Sequence, residues 1–114
     1  MVTAIAGLWV KIEKLIVADL EYHYTIKVPE KERWFLDRVT VKNTVTATTE
    51  CLVGVEMAGT LFPLYLFYNI VAGNETDYQL QTWLFPGERF FWYWYNVTAA
   101  DPVTMVLTGH RKID

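Results

Sequence analysis

Six consecutive aromatic residues, Phe90 to Tyr95, follow a Pro86-Gly87 turn and constrain the fold of this chain more than any other feature. Bulky rings lose side-chain freedom against the preceding turn of a helix, so the run favours a β-strand. A strand with one face in water alternates apolar with polar residues, and this run does not. The sequence therefore predicts a strand that is covered on both faces. The face in the core of a sandwich carries Phe90, Trp92 and Trp94.

The opposite face of the same strand carries Phe91, Tyr93, Tyr95 and Val97. A tyrosine ring can be buried while its hydroxyl stays in water, so this face suits a boundary. Two kinds of cover fit the pattern equally well. One is a second sheet or the N-terminal arm of the same chain, and the other is a neighbouring subunit.

Six further segments alternate apolar with polar residues or are apolar throughout, and turns separate them every 8–12 residues. They are residues 21–28, 34–43, 51–57, 61–71, 76–84 and 103–108. This spacing predicts one all-β domain over residues 1–114, an antiparallel sandwich of about seven strands with jelly-roll-like topology. The sandwich spans 20–111, Gly109 closes its last strand, and the residues after it form a polar tail. The predicted core contains Tyr24, Ile26, Phe35, Val39, Val41, Val53, Val55, Leu80, Phe90, Trp92, Trp94, Met105 and Leu107.

Two irregularities are expected within these strands. Asp37 falls in the apolar phase of its strand, which indicates either an acid paired in the core or at its rim, or a β-bulge near Asp37-Arg38. Pro63 cannot donate to a ladder, so the start of its apolar segment is an edge or a kink.

The N-terminal segment, residues 1–19, is ambiguous. Its apolar residues recur at helical spacing, whereas Gly7 and several β-branched residues weaken a helix. We expect a short helix or an ordered arm over 3–19, outside the sandwich. The apolar residues that recur at helical spacing are Ile5, Leu8, Trp9, Ile12, Leu15 and Ile16.

Composition and charge exclude several classes of function. A net charge of -3 and a pI near 5.3 leave no electrostatic footprint for nucleic acid. The first 18 residues lack a basic start and contain three charges, so no signal peptide is predicted. Residues 57–74 are uncharged, but Pro63, Asn69 and two glycines argue against a membrane span. Cys51 is the only cysteine, which excludes an internal disulfide.

No pattern of reactive residues predicts catalysis. His23 and His110 lie far apart in the sequence, and neither has a cysteine or an acid at metal-ligand spacing. His23 is interpreted as a surface residue of a strand and His110 as part of the polar tail. There is no glycine-rich phosphate loop and no nucleophile elbow. The prediction is a protein that is not an enzyme, with no catalytic, metal or cofactor site.

Three stretches between Val28 and Arg111 carry a resemblance to a known family. The first runs from Val28-Pro29-Glu30 through Trp34-Phe35-Leu36 to Asn43-Thr44, the second is the turn Val71-Ala72-Gly73-Asn74-Glu75-Thr76, and the third joins Leu84 to Phe90, around Pro86-Gly87-Glu88, with a closing Asp101 to Arg111 segment. Taken together they resemble small β-sandwich structural proteins of tailed bacteriophages, which are capsid decoration, neck or tail components. The resemblance implies a non-catalytic virion protein that is assembled in the host cytoplasm. It also implies contacts with other virion proteins and with copies of itself.

Self-association is also expected from the aromatic residues, since three outward rings in a row would make a large patch on a monomer. We expect a homo-oligomer, with a trimer favoured, and no nucleic-acid or membrane partner. The alternative is a carbohydrate-binding module that uses exposed rings. The predicted interface consists of Trp9, Ile12, Ile16, Trp83, Phe91, Tyr93 and Tyr95.

Overall fold

The computed structural model describes residues 4–15, 22–98 and 100–114, and every regular element in these ranges is a β-strand. Eight strands are formed, one more than the sequence predicts. They are β1 (Ala4–Leu15), β2 (Tyr22–Tyr24), β3 (Glu32–Asn43), β4 (Thr49–Met57), β5 (Thr60–Ile70), β6 (Thr76–Leu84), β7 (Arg89–Tyr95) and β8 (Pro102–Ile113).

The strands form two antiparallel four-stranded sheets that face each other across one core. Sheet A has the order β1-β8-β3-β6, and sheet B has the order β2-β7-β4-β5. The prediction of an all-β antiparallel sandwich is confirmed at this level. Nine predicted core residues are buried between the sheets, and Leu80 packs against them while partly exposed. The nine are Val39, Val41, Val53, Val55, Phe90, Trp92, Trp94, Met105 and Leu107.

The prediction of an N-terminal helix is wrong for the part of that segment that the structure describes. Ala4 to Leu15 form β1, which pairs with β8 over twelve residues without a register shift. Leu8, Val10 and Ile12 face the core, so the inward stripe follows a period of two. The β-branched residues of this segment therefore outweigh its helical spacing, because a ladder with β8 satisfies the backbone. Residues 3 and 16–19 of the predicted arm lie outside the described ranges.

The ambiguity at Asp37 is resolved as the β-bulge. Both ladders of β3 shift register between Leu36 and Arg38, and Asp37 is the extra residue opposite β8. The bulge reverses the phase of the strand, so Trp34 and Leu36 are buried before it, and Val39 after it. Phe35 consequently lies on the outer face of sheet A, and its prediction as a core residue is wrong.

Strand β8 continues through Gly109 to Ile113, so the prediction that Gly109 ends it is wrong. At this point β8 passes against the bulged part of β3. A Cβ atom on Gly109 would collide with the backbone carbonyl of Phe35. Glycine is required here by close approach of two backbones, and the predicted polar tail is in fact a paired strand.

The predicted inward face of β2 is also reversed. Ile26 is 70% exposed and Tyr24 is half-buried, whereas His23 and Thr25 face the core. The His23 ring stacks on Trp92 at a centroid distance of 5.7 Å, so the prediction of a surface histidine is wrong. The Thr25 hydroxyl accepts a hydrogen bond from the backbone amide of Phe90 at 3.1 Å, just beyond the last paired residue of β2. This hydrogen bond holds Thr25 inward, and Ile26 consequently points to solvent.

A buried polar cluster connects the loops at one end of the sandwich. The Asn43 amide donates hydrogen bonds of 3.0 Å to Thr49 Oγ1 and to Asp101 Oδ2. The Thr98 amide also donates to Asp101 Oδ2, at 2.9 Å. Burial alone would raise the pKa of Asp101, but the hydrogen bonds from Asn43, Thr46 and Thr98 together hold it below its ordinary value.

Candidate assembly surface

The outer face of sheet B carries a layer of aromatic rings on β2 and β7, here called the tyrosine layer. The Tyr22 ring lies 4.0 Å from Tyr93 and 6.2 Å from Phe91, and Tyr93 lies 4.8 Å from Tyr95. Neither a second sheet nor the described part of the N-terminal segment covers this layer. Its rings cover one another, with members Tyr22, Tyr24, Phe91, Tyr93 and Tyr95.

Phe91 is completely buried although it lies on this outer face. It is paired with Gly54 of β4 on one side and with Tyr24 of β2 on the other. The glycine leaves room for the ring, since a Cβ atom on Gly54 would lie 2.7 Å from Phe91 Cε1. An aromatic ring over a cross-strand glycine restores the packing that the glycine lacks. Phe91 therefore has no exposed surface to offer to a partner.

Arg89 ends the tyrosine layer with two interactions. Its guanidinium lies 3.8 Å from the centre of the Tyr24 ring and 2.8 Å from Glu56 Oε2. These contacts connect β7 to β2 and to β4, and both charged side chains are largely buried. The Arg89 guanidinium therefore has both of these partners within sheet B.

The outer face of sheet A has a smaller ring cluster at one end. Phe35 packs edge-on against Trp83 at 5.1 Å and stacks on His110 at 5.2 Å. The Lys112 ammonium lies 4.9 Å from the Trp83 ring. His110 is therefore part of a packed cluster, not of a polar tail, and Trp83 is half-buried within the protomer.

Trp9, on the outer face of β1, is 69% exposed, more than any other member of the predicted interface that the structure describes. Ile5 lies four positions before Trp9 on the same face of the strand and is 67% exposed. Ile12 is half-buried on the inner face, where it lines a groove of about 470 Å³ between β1 and residues 24–26. Ile16 lies outside the described ranges.

The predicted interface residues therefore do not form one site. Trp9 and Trp83 lie on opposite halves of the outer face of sheet A, Ile12 faces inward, and Tyr93 and Tyr95 are half-buried in sheet B. Their role in an interface stays a prediction. Sequence reasoning did not select four exposed apolar residues of the outer strand β5. The sequence predicted an apolar segment over residues 61–71 whose start, at Pro63, is an edge or a kink. The four residues are Phe62, Leu64, Tyr65 and Tyr68.

The edge at β5 is irregular. Pro63 has no backbone N–H group, so it breaks the row of hydrogen-bond donors along β5. The ladder between β5 and β4 also shifts register twice. Bulges and proline are devices by which natural sheets prevent their edges from pairing with other chains. On this side of the sandwich the Tyr65 ring also stacks on Tyr78 of β6 at 3.9 Å and closes the gap between the sheets.

Two more edges are short or distorted. Strand β2 has three residues. Strand β6 has Gln81 in the left-handed region at a φ of 52°, opposite the bulge of β3. Among the four edge strands of the described sheets, only β1 is both long, with twelve residues, and paired without a register shift. Its one neighbour in the sheet is β8.

The described residues contain no group of three histidine, cysteine, aspartate or glutamate side chains that could hold a metal ion. Cys51 is completely buried, and burial raises the pKa of its thiol far above the ordinary value, which makes it unreactive. Within the described ranges there is also no helix with the length and apolar character needed to cross a membrane.

No family model matches the sequence, and no curated protein matches it. Solved structures do share the fold. A chain of Bacillus endospore appendages, described as disulfide-linked pili, is similar with a TM-score of 0.58 and 12% identity, over 96% of this chain and 88% of that one. The Drosophila NLP core, described in terms of pentamer formation and histone binding, is similar with a TM-score of 0.55 and 11% identity, over 90% of this chain and 96% of that one. At identities this low, the similarity shows a shared fold and nothing about function.

Proposed function

We propose that this protein is a non-catalytic structural subunit that assembles with copies of itself. The observation that carries the proposal is the position of its exposed apolar side chains. Six of the eleven large apolar side chains that are exposed in the described part of the chain lie on β1 and β5, the outer strands at opposite sides of the sandwich. Soluble monomers rarely leave large apolar side chains together in this way, whereas assembling subunits bury them against neighbours.

The fold supports the same function. The strand orders β1-β8-β3-β6 and β2-β7-β4-β5 correspond to two Greek keys wrapped together, and on this basis we assign the sandwich to the jelly-roll type. Two proteins of similar fold are described as forming a pentamer and pili. From these we take only the capacity of the fold for self-assembly, and not their ligands or their cross-links.

The more specific role that we propose is that of a virion component of a tailed bacteriophage, at the capsid surface, neck or tail. It rests on the resemblance of the three turn-and-strand stretches between Val28 and Arg111. Other virion proteins would then be its further partners. The trimer favoured from the sequence remains one candidate for the closed form, and the measured mass decides between it and other orders.

Sedimentation of the intact chain at micromolar concentration tests self-assembly. We expect an oligomer that weakens when Trp9 or Tyr68 is changed to serine, because each change removes an exposed ring. Val45→Ser is the matched control, since Val45 is 64% exposed and belongs to neither strand, and it should leave the mass unchanged. An intact chain that sediments as a monomer would contradict the proposed function.

A carbohydrate-binding module is the second candidate, and one observation favours it. Trp9 stands at the rim of a concavity of about 650 Å³ on the outer face of sheet A, among charged and hydroxyl side chains such as Glu13, Arg38 and Thr40. A lone ring on a polar face can stack on a sugar while its neighbours hydrogen-bond hydroxyl groups. Glycan-array binding that is lost in Trp9→Ala but kept in Trp83→Ala would establish this function.

A further inference from the structure

Among the four edges of the described sheets, β1 is the one long edge that contains neither proline nor a bulge. Its twelve residues keep a continuous register with β8, and its charged side chains, Lys11, Glu13 and Lys14, are confined to its C-terminal part. Its first seven residues, Ala4 to Val10, carry no charge. A long, regular and apolar edge presents a row of backbone donors and acceptors that is ready to pair with another strand.

We infer that β1 pairs antiparallel with β1 of a second copy about a two-fold axis, which joins two sheets A into one eight-stranded sheet. The inference rests on the proposed self-assembly and names the surface that performs it. A second β1 is the matching partner because β2 is too short and because β5 and β6 are irregular. A two-fold contact uses the same edge on both copies and closes without leaving an edge of this kind exposed.

The symmetry restricts the register. Two adjacent antiparallel strands are related by an axis perpendicular to the sheet, so residues of the same face stand opposite each other. Among such registers, one centred on Val10 overlaps nearly the whole strand. It places Leu8 opposite Ile12 of the second copy, and Val10 opposite its own equivalent.

The side chains of both faces suit this register. On the inner face Val10 and Ile12, half-buried at the groove in one protomer, become part of a continuous apolar seam. On the outer face the exposed Trp9 ring lies opposite Lys11 of the second copy, a pair that can form a cation–π contact. Gly7 lies opposite Glu13 and has open space around it.

Disulfide trapping tests the contact in the intact chain. Opposed residues of antiparallel strands have Cβ atoms about 4.5–5.5 Å apart, close enough for oxidation to join two cysteines with small adjustments. We expect Val10→Cys to form a covalent dimer readily, and Val45→Cys to form little. The unmodified chain, whose one cysteine is the buried Cys51, is the control for background cross-linking. More cross-linking by Trp9→Cys than by Val10→Cys would overturn the register, and cross-linking by neither would overturn the pairing.

Charge at Trp9 gives a second test that does not disturb the core, because this side chain is mostly exposed. Trp9→Lys places two ammonium groups opposite each other at two positions, and we expect at least a tenfold weaker dimer. Trp9→Glu instead faces Lys11 and should weaken it much less. Equal weakening by both variants, or none by either, would overturn the inference. If the intact chain still assembles in that case, the proposed function stands and another surface carries it.

Discussion

The outer faces of the two sheets differ although both lie on the outside of the same sandwich. The outer face of sheet B buries Phe91 completely under neighbouring rings and over a glycine. The outer face of sheet A leaves Trp9 exposed, and its Phe35 cluster is only half-buried. Within the described residues, the difference lies in the packing of Phe91, which has the Tyr22 ring beside it and Gly54 opposite it on the neighbouring strand.

The largest effect is expected on the shared inner face, which serves as the reference for both outer faces. Trp92→Ala should lower the free energy of unfolding by about 3–5 kcal/mol, since Trp92 is almost fully buried between the sheets. Denaturant unfolding of the variant and the intact chain measures the difference. A loss below about 1 kcal/mol would mean that the faces of β7 are assigned the wrong way round.

Phe91→Ala compares the outer face of sheet B directly with that of sheet A. It should cost about 3–4 kcal/mol, close to a core truncation, because the ring has no contact with solvent. The matched change on sheet A, Phe35→Ala, should cost clearly less because Phe35 is only half-buried. If both changes cost the same in denaturant unfolding, the two outer faces do not differ in the way described here.

Two glycines sharpen the comparison at the level of the backbone. Gly54→Ala should destabilise the fold by about 1–3 kcal/mol, because the new methyl group meets the Phe62 carbonyl and the Phe91 ring. Gly7→Ala, in sheet A, meets nothing within 4 Å and should be neutral or slightly stabilising. Thermal unfolding of the two variants side by side gives the answer, and a Gly54→Ala protein as stable as Gly7→Ala would show that β5 yields easily.

The smallest effect concerns alkaline pH and should be confined to sheet B. Burial, together with Tyr93, Tyr22 and Glu50, raises the pKa of Tyr95 above its ordinary value of 10.0. Above pH 10 the unfolded chain therefore loses this proton more readily than the folded chain, so stability falls as the pH rises. Unfolding measured on both sides of pH 10 should show a smaller fall for Tyr95→Phe. An identical fall in both proteins would assign the effect to other groups.

Sequence reasoning located most strands and the inner face of β7, because alternation over Val39, Val53 or Leu107 is a local property. It recognised the edge character around Pro63 for the same reason, and it identified the bulge at Asp37 as one of two alternatives. It did not identify β1, because pairing with β8 is a tertiary interaction that overrides helical spacing. It reversed β2, since the hydrogen bond from Phe90 to Thr25 has no sequence signature.

The candidate surface was less predictable than the fold. Exposure of Trp9 depends on β1 being an edge, and burial of Phe91 depends on Gly54 lying directly across the sheet. Neither neighbour can be read from a single strand. The sequence therefore predicted that the protein has excess apolar surface, while only the strand order shows where that surface lies.

The pairing of β1 with β8 has a consequence for the time course of folding. The paired residues lie about 90–110 positions apart in the chain, so forming this ladder closes a loop that contains almost the whole domain. Contacts of such long range form late and slow the folding of β proteins. During synthesis β1 emerges first and must wait for β8, with both of its edges bare in the interval. The strand that we propose for assembly is thus also the one most exposed to premature association, and a folding chain gains from completing β8 before it meets a second copy.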